Sequence, residues 1–172
     1  MKDNKHQLFD LASKFGLALG LFWSFKYLFY MMSIDSSMMA IVYQILTFFG
    51  LFVSYRICCL YSTKAFDGKI TFSQTWRFCV LLYAFAAIIV APFHYIFYEY
   101  IAPQDFLETI FTQLYTLWED AGADAEMMKR VREVPIFSPI EMSFLGILNN
   151  IFNGIFVSIP IAFFVSKKKT GS

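Results

Sequence analysis

Four long apolar stretches constrain this chain more than anything else in it: Leu8–Met32, Met38–Leu60, Phe78–Tyr98 and Phe144–Phe164. A helix rises about 1.5 Å per residue and the hydrocarbon core of a bilayer is about 30 Å thick, so each stretch is long enough to cross. Lipid offers no partner to a free backbone N–H or C=O, and a helix satisfies both within the segment. The sequence therefore predicts an all-α, polytopic membrane protein, a four-transmembrane-helix bundle forming one domain over residues 1–172. Composition agrees. Hydrophobic residues make up 58% and aromatic residues 20% of the chain, above the usage of water-soluble domains.

The net charge of +1 hides a segregation. Lys2, Lys5, Lys14, Arg56, Lys64, Lys69, Arg77 and Lys167–Lys169 fall at the N-terminus, between spans 2 and 3, and at the C-terminus. Asp105, Glu108, Glu119, Asp120, Asp124 and Glu126 lie between spans 3 and 4. Basic residues favour the cytoplasmic side, so both termini are expected in the cytoplasm. Lys167–Lys169 then anchors span 4 among anionic headgroups. The first apolar run is too long for a secretory signal and no cleavage site follows it, which predicts an uncleaved first span. Cys58, Cys59 and Cys79 give no disulfide framework and are expected to be reduced packing residues.

Ser33–Ser37 predicts a tight turn between spans 1 and 2, and Asp67–Gly68 a turn within the loop Tyr61–Thr75. Pro92 removes a backbone donor inside span 3 and is expected to kink it. Ile101–Glu141 is expected to be an extracytoplasmic, partly helical segment. Pro103 suits the first turn of an amphipathic helix, with Phe106, Leu107, Ile110, Phe111, Leu114, Leu117 and Trp118 on its apolar face and Gly122 as its stop. Such a helix lies on the membrane surface or covers its own bundle. A second, short helix is expected over Asp124–Glu133, with Glu126 paired to Arg130 and Lys129 to Glu133, and Arg132 left without an obvious partner.

Helices in lipid associate through close packing and buried polar contacts. Ala12, Gly16, Gly20 and Ser24 recur every four residues in span 1, as do Gly146, Asn150, Gly154, Ser158 and Ala162 in span 4. These stripes predict helix–helix contacts, with each other among the options, within the chain or between two copies. Asn149, Asn150 and Asn153 form the densest polar group inside a span and are expected to point inward, as interhelical glue or as a site for a polar solute, with Gln44 and Thr47 as candidate partners. Lys26 is the one charge well inside span 1; it is expected to snorkel outward or to pair with Glu99 or Asp35. His94 and Glu99 are the ingredients of a proton relay, but five-residue spacing sets them on different faces. No metal-ligand spacing, Gly-rich phosphate loop or catalytic motif is recognisable. The expectation is a non-enzymatic protein without cofactor or nucleic-acid partner.

Several segments resemble the family catalogued as domain of unknown function 4199. They are the Gly-containing start of span 1 (KFGLALG, Lys14–Gly20), the loop DGKITFSQTW (Asp67–Trp76), and YIAPQDF (Tyr100–Phe106) leading into the outer segment. Ala102 stands where the family's Asp-Pro-Asp-Phe step has its first acidic residue. The resemblance implies a four-span protein of the Gram-negative cytoplasmic membrane and supplies no activity or catalytic residue.

Two functional classes follow. The first is association, with a second copy or an envelope partner. The alternative is a small transporter or channel using Asn149, Asn150, Asn153, Lys26 and Glu99. A dry bundle with an exposed apolar outer helix fits association; a water-accessible cavity lined by the asparagines and Lys26 fits transport.

Overall fold

Each apolar stretch lies within a longer helix in the computed structural model, which describes residues 2–33, 36–133, 135 and 137–168, of residues 2–5 the backbone alone. In chain order the elements are α1 (Lys2–Met32), α2 (Ser37–Phe66), α3 (Phe72–Ile96), a π-helical turn (Phe97–Ile101), α4 (Phe106–Asp120), α5 (Ala125–Arg132) and α6 (Pro139–Lys167). The helices α1, α2, α3 with its π extension, and α6 are each long and apolar enough to cross a membrane.

Helix ends are set by local chemistry rather than by hydropathy. Asp67 (φ 49°) and Gly68 (φ 79°) turn left-handed and stop α2, and the Gly68 N–H donates back to the Ser62 carbonyl at 3.1 Å. Thr71 and Gln74 cap α3 reciprocally. Pro139 opens α6 where its missing N–H does no harm, while the Glu141 carboxylate accepts the Ser138 N–H at 2.8 Å. These caps lengthen the spans beyond the apolar runs.

Helix α3 is the centre of the bundle, with α1 on one side and α6 on the other. The small-residue stripes explain how they come so close. A Cβ at Gly16 would stand 2.5 Å from the Phe85 Cβ, one at Gly20 2.6 Å from the Ile89 Cβ, and one at Gly154 2.6 Å from the Tyr83 Cβ. Each stripe therefore packs on α3, and the option that they face each other is corrected. Ser24 and Ser158 stay smooth because their hydroxyls donate to the Gly20 and Gly154 carbonyls one turn back. Ala12 and Ala162 are wholly buried. Towards the chain termini the core is closely packed and aromatic: Tyr61 stacks on Phe78 at 3.8 Å, with Leu82 and Cys79 buried beside them. Cys58, Cys59 and Cys79 are free thiols.

The outer segment departs from expectation in two ways. Helix α4 starts at Phe106 rather than at Pro103, whose carbonyl accepts the Phe106 N–H in the preceding turn. It also does not cover the bundle. No residue of α4 is fully buried, and only Phe106 packs against the main core. Gly122 (φ 81°) ends the hairpin's first arm as predicted. Arg132 finds Glu119 of α4 at 2.6 Å, and Arg130 pairs with Glu126 at 2.5 Å; Lys129 and Glu133 form no ion pair.

Candidate functional site

Between the ends of the spanning helices that lie away from the chain termini, the distal end, is a cavity of about 280 Å³. Helical periodicity builds it. Helix α1 contributes Trp23, Lys26, Tyr27 and Tyr30, spaced three, four and seven residues apart on one face; α3 contributes Val90, His94 and Tyr98 at steps of four. Helix α6 adds Gly146, Asn149 and Asn150, and α2 adds Tyr43. Among the described residues the lining holds one ammonium group, an imidazole, two carboxamides and four phenols, and no carboxylate. Such a surface complements a polar or anionic group, and repels a cation.

The cavity lies where two of its bordering helices bury nothing fully. Helix α2 has no buried residue before Gly50, and α6 has none between Ser143 and Gly154. Beyond Gly50 and from Gly154 onward, towards the chain termini, both helices bury residues in the bundle. Trp23 packs edge-on against Tyr83 at 5.1 Å and separates the cavity from the aromatic core beneath. At the distal end, wholly buried Phe97 is ringed by Tyr27, Tyr30, Tyr98 and Phe106 at centroid distances of 5.1 to 5.8 Å. The π turn that carries Phe97 lets α3 deliver both Phe97 and Tyr98 to this end.

Residues 14–167 match the family described as "Protein of unknown function (DUF4199)". The chain belongs to this family. No curated protein and no solved structure gives a significant match. The DUF4199 segment takes in the whole of the cavity lining, from Trp23 to Asn150.

Within this DUF4199 chain, the structure gathers some of the residues singled out by sequence and disperses others. Lys26, His94, Asn149 and Asn150 come together in the cavity. Lys26 is half-buried with its Nζ 4.9 Å from the centroid of the Tyr43 ring. Among the described residues no carboxylate stands within ion-pair distance of it, so the pairing with Glu99 is not made; Asp35 lies outside the described residues. Glu99 is exposed on the π turn, away from His94, as the five-residue spacing predicts. Gln44 and Asn153 are exposed on the bundle surface, and Asn149 is exposed at the rim of the cavity, which corrects the expectation that all three asparagines point inward. Thr47 donates to the Tyr43 carbonyl of its own helix at 2.8 Å and Asn150 to the Gly146 carbonyl at 2.9 Å. Neither bond joins two helices.

Sequence reasoning missed the aromatic part of the site. Tyr27, Tyr30, Tyr43 and Tyr98 carry no individual signal, since tyrosine is common near the ends of membrane spans. The available signal was their register: Tyr27 and Tyr30 share a helical face with Trp23 and adjoin Lys26.

Proposed function

We propose that this protein binds a polar solute within the membrane, as the binding state of a small transporter. The observation that carries this reading is the cavity in which Lys26, His94, Asn149 and Asn150 converge, with no carboxylate among the described lining residues. A lysine inside a span is costly and in general marks a substrate or ion path. The closely packed aromatic core below Trp23 leaves the cavity blind on the terminal side, as expected of one face of an alternating-access cycle. Binding rather than catalysis is the role assigned to these residues.

We further infer from the segregated charge that both termini lie in the cytoplasm of an inner membrane, so the cavity faces the opposite side. A cysteine at Asn150, in a chain with Cys58, Cys59 and Cys79 replaced by alanine, tests both statements. A charged, membrane-impermeant thiol reagent is expected to label it only from the side of the membrane away from the cytoplasm. Labelling from neither side overturns the cavity reading, and labelling only from the cytoplasmic side overturns the orientation.

The exposed apolar side of α4 favours a second reading. Leu117 is 64% exposed and Trp118 36%, on a helix that buries nothing fully. Such a face supports association with a second copy or an envelope partner at the membrane surface.

A further inference from the structure

Resting on the cavity reading, we infer that its ligand is a membrane amphiphile, an acyl-chain lipid whose anionic headgroup enters the cavity from the side, between α2 and α6. Three observations point there. First, the headgroup end is chemically specified. The Lys26 ammonium, the two carboxamides and the phenols offer donors to an anion, and no carboxylate among the described lining residues opposes one.

Second, the border of the cavity suits lateral entry. Tyr43 of α2 and Asn149 and Asn150 of α6 line it, on stretches of the two helices that have no fully buried residue and so also face outward. A solute from water has no need of an outward-facing border, whereas a lipid has to pass its headgroup sideways while its chain stays in hydrocarbon. Third, an apolar groove of about 540 Å³ runs along α6, lined by Leu145, Leu148, Asn149, Ile151, Phe152 and Ile155. Asn149 belongs to both the groove and the polar cavity. One residue thus joins a cationic pocket for a head to an apolar trough for a chain. The cavity of about 280 Å³ accommodates a phosphate or carboxylate headgroup but not a long chain as well.

The test uses the full chain in phosphatidylcholine nanodiscs, titrated with lysophosphatidic acid, lysophosphatidylcholine and glycerol 3-phosphate, with binding read by native mass spectrometry. Lysophosphatidic acid is expected to occupy a single site at least tenfold more tightly than either of the others. Lys26→Gln is expected to abolish that preference and Lys26→Arg to keep it, while Leu148→Glu weakens the amphiphile and leaves any glycerol 3-phosphate binding unchanged. Equal affinity for glycerol 3-phosphate identifies a free anion as the ligand and overturns the lipid assignment. Equal affinity for lysophosphatidylcholine, or a preference indifferent to Lys26→Gln, overturns the headgroup pairing. Lysophosphatidic acid, at a concentration that saturates the Asn150→Cys chain in the nanodisc titration, is also expected to protect that chain from the thiol reagent. Labelling without protection leaves the cavity standing and removes this inference; failure to label the ligand-free chain removes the cavity itself.

Discussion

Gly146 of α6 meets His94 of α3 so closely that a Cβ on the glycine would lie 2.5 Å from the imidazole Nδ1. His94 cannot simply retreat, because its other side rests on the Tyr27 ring at a centroid distance of 4.4 Å. The contact fixes one wall of the cavity, and its consequence is directional. Gly146→Ala is expected to push the imidazole into the cavity and to destabilise the bundle by about 1–3 kcal/mol, the usual penalty of overpacking. Unfolding in mixed detergent micelles measures it. In the double variant with His94→Ala the penalty is expected to shrink, giving a coupling of about 1 kcal/mol. Additive effects would mean that the two residues do not touch.

The glycines deeper in the bundle make a harsher prediction. Gly20 and Gly154 face the Ile89 and Tyr83 side chains at their Cβ atoms, which have no freedom to swing aside. Leucine at either position has to separate α3 from its neighbour, and loses far more dispersion contact than its own side chain supplies. Both variants are expected to lose at least about 2–3 kcal/mol in the same unfolding assay. Leu21→Ala is the control: Leu21 faces away from the bundle at 56% exposure, and its truncation should change stability by less than about 0.5 kcal/mol. A tolerated Gly154→Leu would refute the close approach of α6 to Tyr83.

The contrast between these sites explains what the sequence makes legible. The spans, the Asp67–Gly68 turn, the Gly122 stop and the short helix α5 depend on local chemistry within a few residues, and all are found at or near their expected places. The partner of a stripe is another matter. Glycines at steps of four on α1 and α6 announce a close approach but carry no address, and only the assembled bundle reveals that both address α3. The same holds for Arg132, whose partner Glu119 lies 13 residues earlier, across the α4–α5 turn. Lys26, His94 and Asn150 were visible one by one as polar residues in apolar helices. Their convergence was not, because it depends on how α1, α3 and α6 are rotated against one another, which hydropathy does not encode. Asn153 differs from Asn150 by three residues, and the rotation of α6 alone decides that it lies outside.

The outer hairpin is expected to behave as a separable surface. Its ion pair between Arg132 and Glu119 is about half exposed on both sides and contributes at most about 1 kcal/mol. Replacing Leu117 and Trp118 together by serine removes the most exposed apolar part of α4 without touching the spans. Bundle stability should stay within about 0.5 kcal/mol, whereas any self-association or co-purification of an envelope protein should fall several-fold. Unchanged association, measured by light scattering and by pulldown in mild detergent, would dismiss α4 as the docking face.

Asn150 and Asn153 separate packing from ligand binding most directly. As glue, an asparagine must bond across helices, and its loss would expose a partner left unsatisfied. Asn150 instead donates to Gly146 in its own helix, at 2.9 Å, while bordering the cavity. Asn153 is exposed on the lipid-facing surface. Asn153→Leu is therefore expected to leave stability unchanged or to raise it slightly, since it replaces a carboxamide facing hydrocarbon with an apolar side chain. Asn150→Leu is expected to cost less than about 1 kcal/mol, because only an intrahelical bond is lost. Its effect on binding should be larger, a tenfold or greater loss of affinity for lysophosphatidic acid in nanodiscs, since the variant presents an apolar side chain to the headgroup. A loss of about 2 kcal/mol or more in stability, with affinity preserved, would return Asn150 to a purely structural role.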